Sequence, residues 1–150
     1  MAESGPKISP PARTRAASTA LRGARSRRGA AALALGRAAE EVAERFLRAQ
    51  GLEILHRNFR RRLGELDLVA RHGSELVIVE VRTRSSERFG GAAGSIGAYK
   101  RQRIVRTAQL LLRRYKDLTR LRVRFDVVIV YGACSTQARV EWLRAAFLAF

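Results

Sequence analysis

Two β-rich runs meeting at a short polar break constrain this chain more than any other feature. Gly64 to Arg71 and Glu75 to Arg82 are rich in strand formers, and His72, Gly73 and Ser74 separate them. A tight hairpin is the simplest structure for such a stretch. With Gly73 and Ser74 as a two-residue turn, His72 pairs with Glu75. Counting outward then sets Asp67 opposite Glu80 and Glu65 opposite Arg82, and strict alternation puts all four side chains on one face. A loop of three to five residues would change these partners.

Two carboxylates directly opposite one another lie about 5 Å apart at Cβ and destabilise a sheet. Their repulsion is on the order of 3 kcal/mol at an effective dielectric near 20. A folded domain keeps such a pair cheaply when a proton, a basic neighbour or a divalent cation lies between the two groups. Mg²⁺ suits the position because it takes one or two carboxylates and fills its remaining sites with water and phosphate oxygens. Glu80 also interrupts the apolar residues Val77, Ile78, Val79 and Val81, so its carboxylate is expected to be largely desolvated and in need of a partner. Ion pairs with nearby arginines are the other way to meet that need.

Charge supplies the class of partner. Residues 1–30 hold seven basic residues and one acid, a net +6, so +11 of the +17 falls on residues 31–150. A basic excess spread over the folded part points to a polyanion, most often nucleic acid, with binding that weakens as salt rises. Solubility and an arginine-rich codon usage are the plainer explanations of the same numbers. The single cysteine, Cys134, excludes an intrachain disulfide or a cysteine-based zinc site; it fits a reducing, cytoplasmic setting and is expected to be ordinary packing. No apolar run is long enough to cross a membrane.

Along the chain, residues 1–28 combine three prolines with six arginines and read as a disordered basic tail, with a composition that also resembles an organellar transit peptide. Residues 29–150 form one α/β domain in the order αβββαβ with a further C-terminal element. The first helix is expected from about Gly29 to Gln50, with Ala39, Val42, Ala43, Phe46 and Leu47 at helical spacing and Gly51 as the stop. Helical geometry turns Glu40 roughly 90° from that apolar face, where it borders a cleft, while solvation or an i,i+4 ion pair is the alternative. A strand from Leu52 to Arg61 leads into the hairpin. Gly90, Gly91, Gly94 and Gly97 mark a loop, and a cationic helix follows over Ala98 to Tyr115 with Lys100 near its start. Arg122 to Tyr131 reads as a buried strand, and Ala138 to Leu143 as another.

Several of these residues resemble a family, the uncharacterised YraN-like proteins, which are similar to the PD-(D/E)XK restriction-endonuclease and archaeal Holliday-junction-resolvase folds. The resemblance runs from about Gly36 to the C-terminus. It is carried by Gly36, Ala39 and Glu40; Asn58 and Arg60; Gly64, Glu65, Leu66 and Asp67; Val79, Glu80, Val81 and Arg82; Arg88, Phe89 and Gly90; Lys100; and Arg124, Phe125, Asp126 and Val127. It implies a restriction-endonuclease-like core, a mixed central sheet flanked by helices, in which Asp67 and Glu80 bind Mg²⁺ or Mn²⁺ and Glu40 adds a helix carboxylate. The pattern expects lysine where this chain has Arg82. Arginine keeps its proton at any working pH, so Arg82 holds phosphate, or Lys100 supplies the missing ammonium as migrated lysines do in relatives of the fold. The implied activity is a structure-selective or weakly specific DNA endonuclease, with a homodimer suited to cutting junctions. Two rivals share the fold: a nucleic-acid-binding module without catalysis, and an interaction protein whose basic surface meets an acidic partner or ribosomal RNA.

Overall fold

The computed structural model describes residues 15–84 and 96–149, with side chains from residue 26 onward. The expected glycine loop around Gly90, Gly91 and Gly94, the Arg88, Phe89 and Gly90 motif, and residues 1–14 of the basic tail lie outside the described residues. Two units separate, residues 1–33 and residues 34–150. In the first, Arg15 onward is helical, the beginning of α1 (Arg15–Ala49). The helix thus starts well before Gly29, because alanine, leucine and arginine from Arg15 on all favour helix.

The second unit holds the remainder of α1 and then β1 (Glu53–Arg61), β2 (Gly64–His72), β3 (Glu75–Arg84), α2 (Ala98–Arg114), a 3₁₀ turn (Lys116–Arg120), β4 (Arg122–Tyr131) and β5 (Arg139–Phe147). The strands form one mixed sheet in the order β1-β2-β3-β4-β5, in which β3 and β4 are parallel and the other neighbours antiparallel. This is the restriction-endonuclease-like α/β core expected from the sequence. Gly73 sits at φ +59 in the hairpin turn, a conformation open to glycine at no cost. His72 therefore pairs with Glu75, and the ladder runs in the anticipated register to Leu68 opposite Val79.

A core fills each face of the sheet. Ala39, Ala43 and Leu47 of α1 pack on Leu68, Ala70, Val77, Val79, Val128 and Val130. Ile104, Ala108 and Leu111 of α2 pack on Leu66, Val69, Leu76, Ile78, Val127 and Ile129. β3 and β4 thus alternate between two buried faces, and for this reason their sequences read as continuous apolar runs.

Alternation fails between β1 and β2 beside the cleft. Leu66 and Leu68 are two residues apart yet belong to opposite cores, and on β1 Phe59 faces the α2 core while Arg57 reaches Glu44 of α1. Between them Asn58 adopts φ +49, the left-handed region that asparagine enters more readily than most residues. The β2–β3 ladder ends at Leu68 and Val79, so the expected pairing of Glu65 with Arg82 does not form, although Glu65 lines the same cleft as Glu80. Glu65 pairs instead with Arg60 across the β1–β2 ladder and bridges it at 3.0 Å.

At the far end of the sheet a network fixes β5. Asp126, 1% exposed, accepts hydrogen bonds from Arg124 Nε and Nη2, Trp142 Nε1 and the backbone N–H of Ala145, all at 2.9–3.0 Å, and Arg124 also pairs with Glu75. Removing one member of a buried charged set costs about 3–5 kcal/mol because its partners stay desolvated. Asp126→Ala is expected to lose that much in urea unfolding while leaving the opposite end of β3 unchanged.

Candidate active-site cleft

β2 and β3 stop pairing at the point where their two acids meet. One step beyond Leu68 and Val79 the ladder gives way, and the Asp67 carboxylate accepts the Val81 N–H at 2.8 Å across the gap. Asp67 is half-buried, and Glu80 is 6% exposed. Glu80 lies on the α2 side of β3, two residues on from Ile78, and forms an ion pair with Lys100 from the first turn of α2. That helix is held close to β2 by Gly64, where a Cβ would come within 3.0 Å of Thr107 Oγ1 and 3.6 Å of Arg103. The small residue at the start of β2 therefore helps set the reach of Lys100 into the cleft.

Gly64, Glu65, Asp67, Glu80, Lys100, Arg103 and Ile104 line a cleft of about 130 Å³. Burial pushes the Asp67 carboxyl up to about 7, with the Glu80 and Glu40 carboxylates adding to the rise, while the Val81 N–H and the Lys100 ammonium oppose it. Glu40 approaches from α1. It is half-buried, as its position at the edge of the apolar helix face implies, and it accepts a hydrogen bond from Asn58 Nδ2 at 2.8 Å. Glu44, one turn on, is committed to Arg48 and Arg57.

Of the residues singled out in the sequence, the fold gathers Asp67, Glu80 and Lys100 in the cleft and brings Glu40 within electrostatic reach of Asp67. Arg82 stands two residues past Glu80, half-buried and paired in the ladder with Ile129, and is not among the described residues that line the cleft. Cys134 is exposed in the turn after β4, which corrects the expectation of a packed side chain; its neighbour Ala133 takes the buried position in that turn. The positioning role of Asn58 and the place of Arg103 in the cleft wall were not anticipated. An asparagine inside an otherwise β-forming run was the one available signal, since asparagine is depleted in strands.

Among the described residues no group of three His, Cys, Asp or Glu side chains is placed to hold a metal ion. Two carboxylates side by side in a cleft are nonetheless a donor set of the kind Mg²⁺ uses, since that ion completes its shell with water and phosphate.

The model of the uncharacterised protein family UPF0102 matches residues 39–130. Similar proteins include a UPF0102 protein of Hahella chejuensis, 50% identical over 113 residues, covering 75% of this chain and 89% of the relative. Another, of Nitrosomonas europaea, is 45% identical and covers 75% of this chain and 92% of the relative. One of Frankia alni is 51% identical, with 76% and 94% covered. The match spans α1 from Ala39, the hairpin with both acids, α2 and nearly all of β4, and so the chain belongs to the UPF0102 family.

Proposed function

We propose that this protein is a metal-dependent DNA endonuclease of structure-selective or weak specificity. The observation that carries the reading is the Asp67 and Glu80 pair at the point where the hairpin opens, in a cleft with a lysine at its wall. The Glu80 carboxylate, buried and beside half-buried Asp67, makes ionisation of Asp67 costly, and a divalent cation relieves that cost. Mg²⁺ or Mn²⁺, when bound, supplies Lewis acidity toward a phosphoryl oxygen. Asp67 and Glu80 would hold it.

The chain's own residues supply the remainder. The Val81 N–H fixes one Asp67 oxygen and so orients the carboxylate. Asn58 orients Glu40 so that its carboxylate adds negative potential near Asp67. Lys100 provides a cation that can bind the scissile phosphate and, unlike Arg82, can give up or accept a proton. Arginines on α2 and on the β1–β2 turn would hold the backbone on either side. This reading places the protein in the cytoplasm beside its DNA, and a junction-cutting form would present two clefts as a two-fold dimer. No helix among the described residues is long and apolar enough to cross a membrane.

The test is incubation of the purified chain with labelled duplex, single-stranded, flap and four-way DNA in Mg²⁺, Mn²⁺ or EDTA. Cleavage in Mg²⁺ or Mn²⁺ and none in EDTA is expected. Affinity measured in EDTA should fall at least tenfold between about 50 and 200 mM salt, as release of several counterions requires. Salt-sensitive binding without cleavage of any substrate would replace this reading with a non-catalytic nucleic-acid-binding module, which the arginine at position 82 favours. Absence of binding at low salt would remove nucleic acid altogether.

A further inference from the structure

Tyr99 stands in the first turn of α2, one residue before Lys100, and is 75% exposed. Single exposed apolar side chains are ordinary, but this one has organised neighbours. Arg103, one helical turn on, places its guanidinium 6.0 Å from the centre of the Tyr99 ring. Its Nε donates to the Leu63 carbonyl at 3.2 Å, so the same arginine ties the helix to the β1–β2 turn. Leu63 is itself 41% exposed. Arg60, Arg61 and Arg62 lead into that turn, with Arg61 stacked 4.2 Å over Phe59. Arg103, in the wall of the acidic cleft, therefore joins an exposed aromatic ring to an exposed leucine, with Arg61 and Arg62 and the Glu65-bridged Arg60 on the approach to the same turn.

Charge complementarity selects a phosphate-bearing occupant, and the apolar faces select among those. Base pairing and stacking hide base faces in a duplex, whereas an unpaired base presents a π-face that stacks on an aromatic side chain whatever its sequence. We propose that Tyr99 and Arg103 form a stacking platform for an unpaired nucleotide beside the cleft, so that the DNA taken by this protein carries single-stranded character at the point of attack. The proposal rests on the endonuclease reading above for the meaning of the cleft, but the platform can be examined without metal.

The experiment uses the full chain in EDTA, with a single-stranded oligonucleotide carrying 2-aminopurine and the duplex of the same sequence. Stacking quenches the fluorescent base, and anisotropy gives the affinity. Loss of one base–aromatic stack weakens binding about 5- to 150-fold, so Tyr99→Ala should lose that much on the single strand and less than about twofold on the duplex. Tyr99→Phe should keep both the affinity and the quenching. Tyr99 is exposed, and an unchanged melting curve for Tyr99→Ala establishes that the fold is intact. Equal losses on both DNAs, or no loss on either, would overturn the platform. A wild type that cuts DNA in Mg²⁺ with no effect of Tyr99→Ala would overturn the platform and leave the nuclease standing, whereas stacking without cleavage would do the reverse.

Discussion

Asp67→Asn is expected to make the metal-free protein more stable at pH 8 while abolishing divalent-metal binding and cleavage. The sign follows from linkage. The folded-state carboxyl titrates at about 7, above the ordinary carboxylate value of 3.8. Below about pH 4 the group is protonated in both folded and unfolded chains and contributes nothing. Between about pH 4 and 7 the unfolded chain loses the proton that the folded chain retains, so stability falls as pH rises, and above 7 the penalty is complete. Its ceiling is about 4 kcal/mol, from 1.36 kcal/mol for each tenfold change in the proton equilibrium. Asparagine keeps an oxygen for the Val81 N–H and removes the charge. Urea midpoints in EDTA at pH 5 and pH 8 should therefore differ for the wild type and nearly coincide for Asp67→Asn. Saturating Mn²⁺ should raise the wild-type midpoint at pH 8, since a ligand bound only by the folded state stabilises it by mass action, and should leave the variant unmoved. If Asp67→Asn were less stable than the wild type at pH 8 in EDTA, the pair would be structural rather than a metal site.

That Asp67 and Glu80 come together was legible in the sequence because a two-residue turn with Gly73 sets the register, which holds as far as Leu68 opposite Val79 and leaves the two acids in one cleft. Glu40 was legible for a related reason, as helical spacing alone places it at the border of the Ala39, Ala43 and Leu47 face. The partner of Glu65 was not. It is set by the β1–β2 ladder, while the β2–β3 ladder stops at Leu68 and Val79, and no pattern of period two shows where pairing ends. The set formed by Glu75, Arg124, Asp126 and Trp142 was equally hidden, because it joins three strands through side chains far apart in sequence. Lys100 occupies a middle position: its spacing on α2 marks it only as a basic helix residue, and the ion pair with Glu80 appears once α2 is packed against the hairpin.

On the endonuclease reading, that ion pair favours Lys100 over Arg82 as the cation of the reaction. Lys100 is held against Glu80 inside the cleft, whereas Arg82 lies two residues further along β3, beside Ile129 of β4. Lys100→Met removes the ammonium and keeps most of the stem that packs on the cleft wall. If Lys100 assists proton transfer and charge stabilisation at the phosphate, this change should lower kcat by about 10²–10⁴-fold, the usual worth of a positioned acid or base. DNA affinity should fall only about two- to threefold, because one phosphate contact among several is lost. Lys100→Arg separates the two functions: it restores the charge but cannot release a proton, so binding should recover while most of the kcat loss persists. Arg82→Lys should change kcat less than about threefold, as the replacement keeps its charge away from the cleft. The opposite pattern, a large loss at Arg82→Ala rescued by Arg82→Lys with Lys100→Met nearly silent, would move the catalytic cation back to β3 and reduce the Lys100–Glu80 pair to a structural contact.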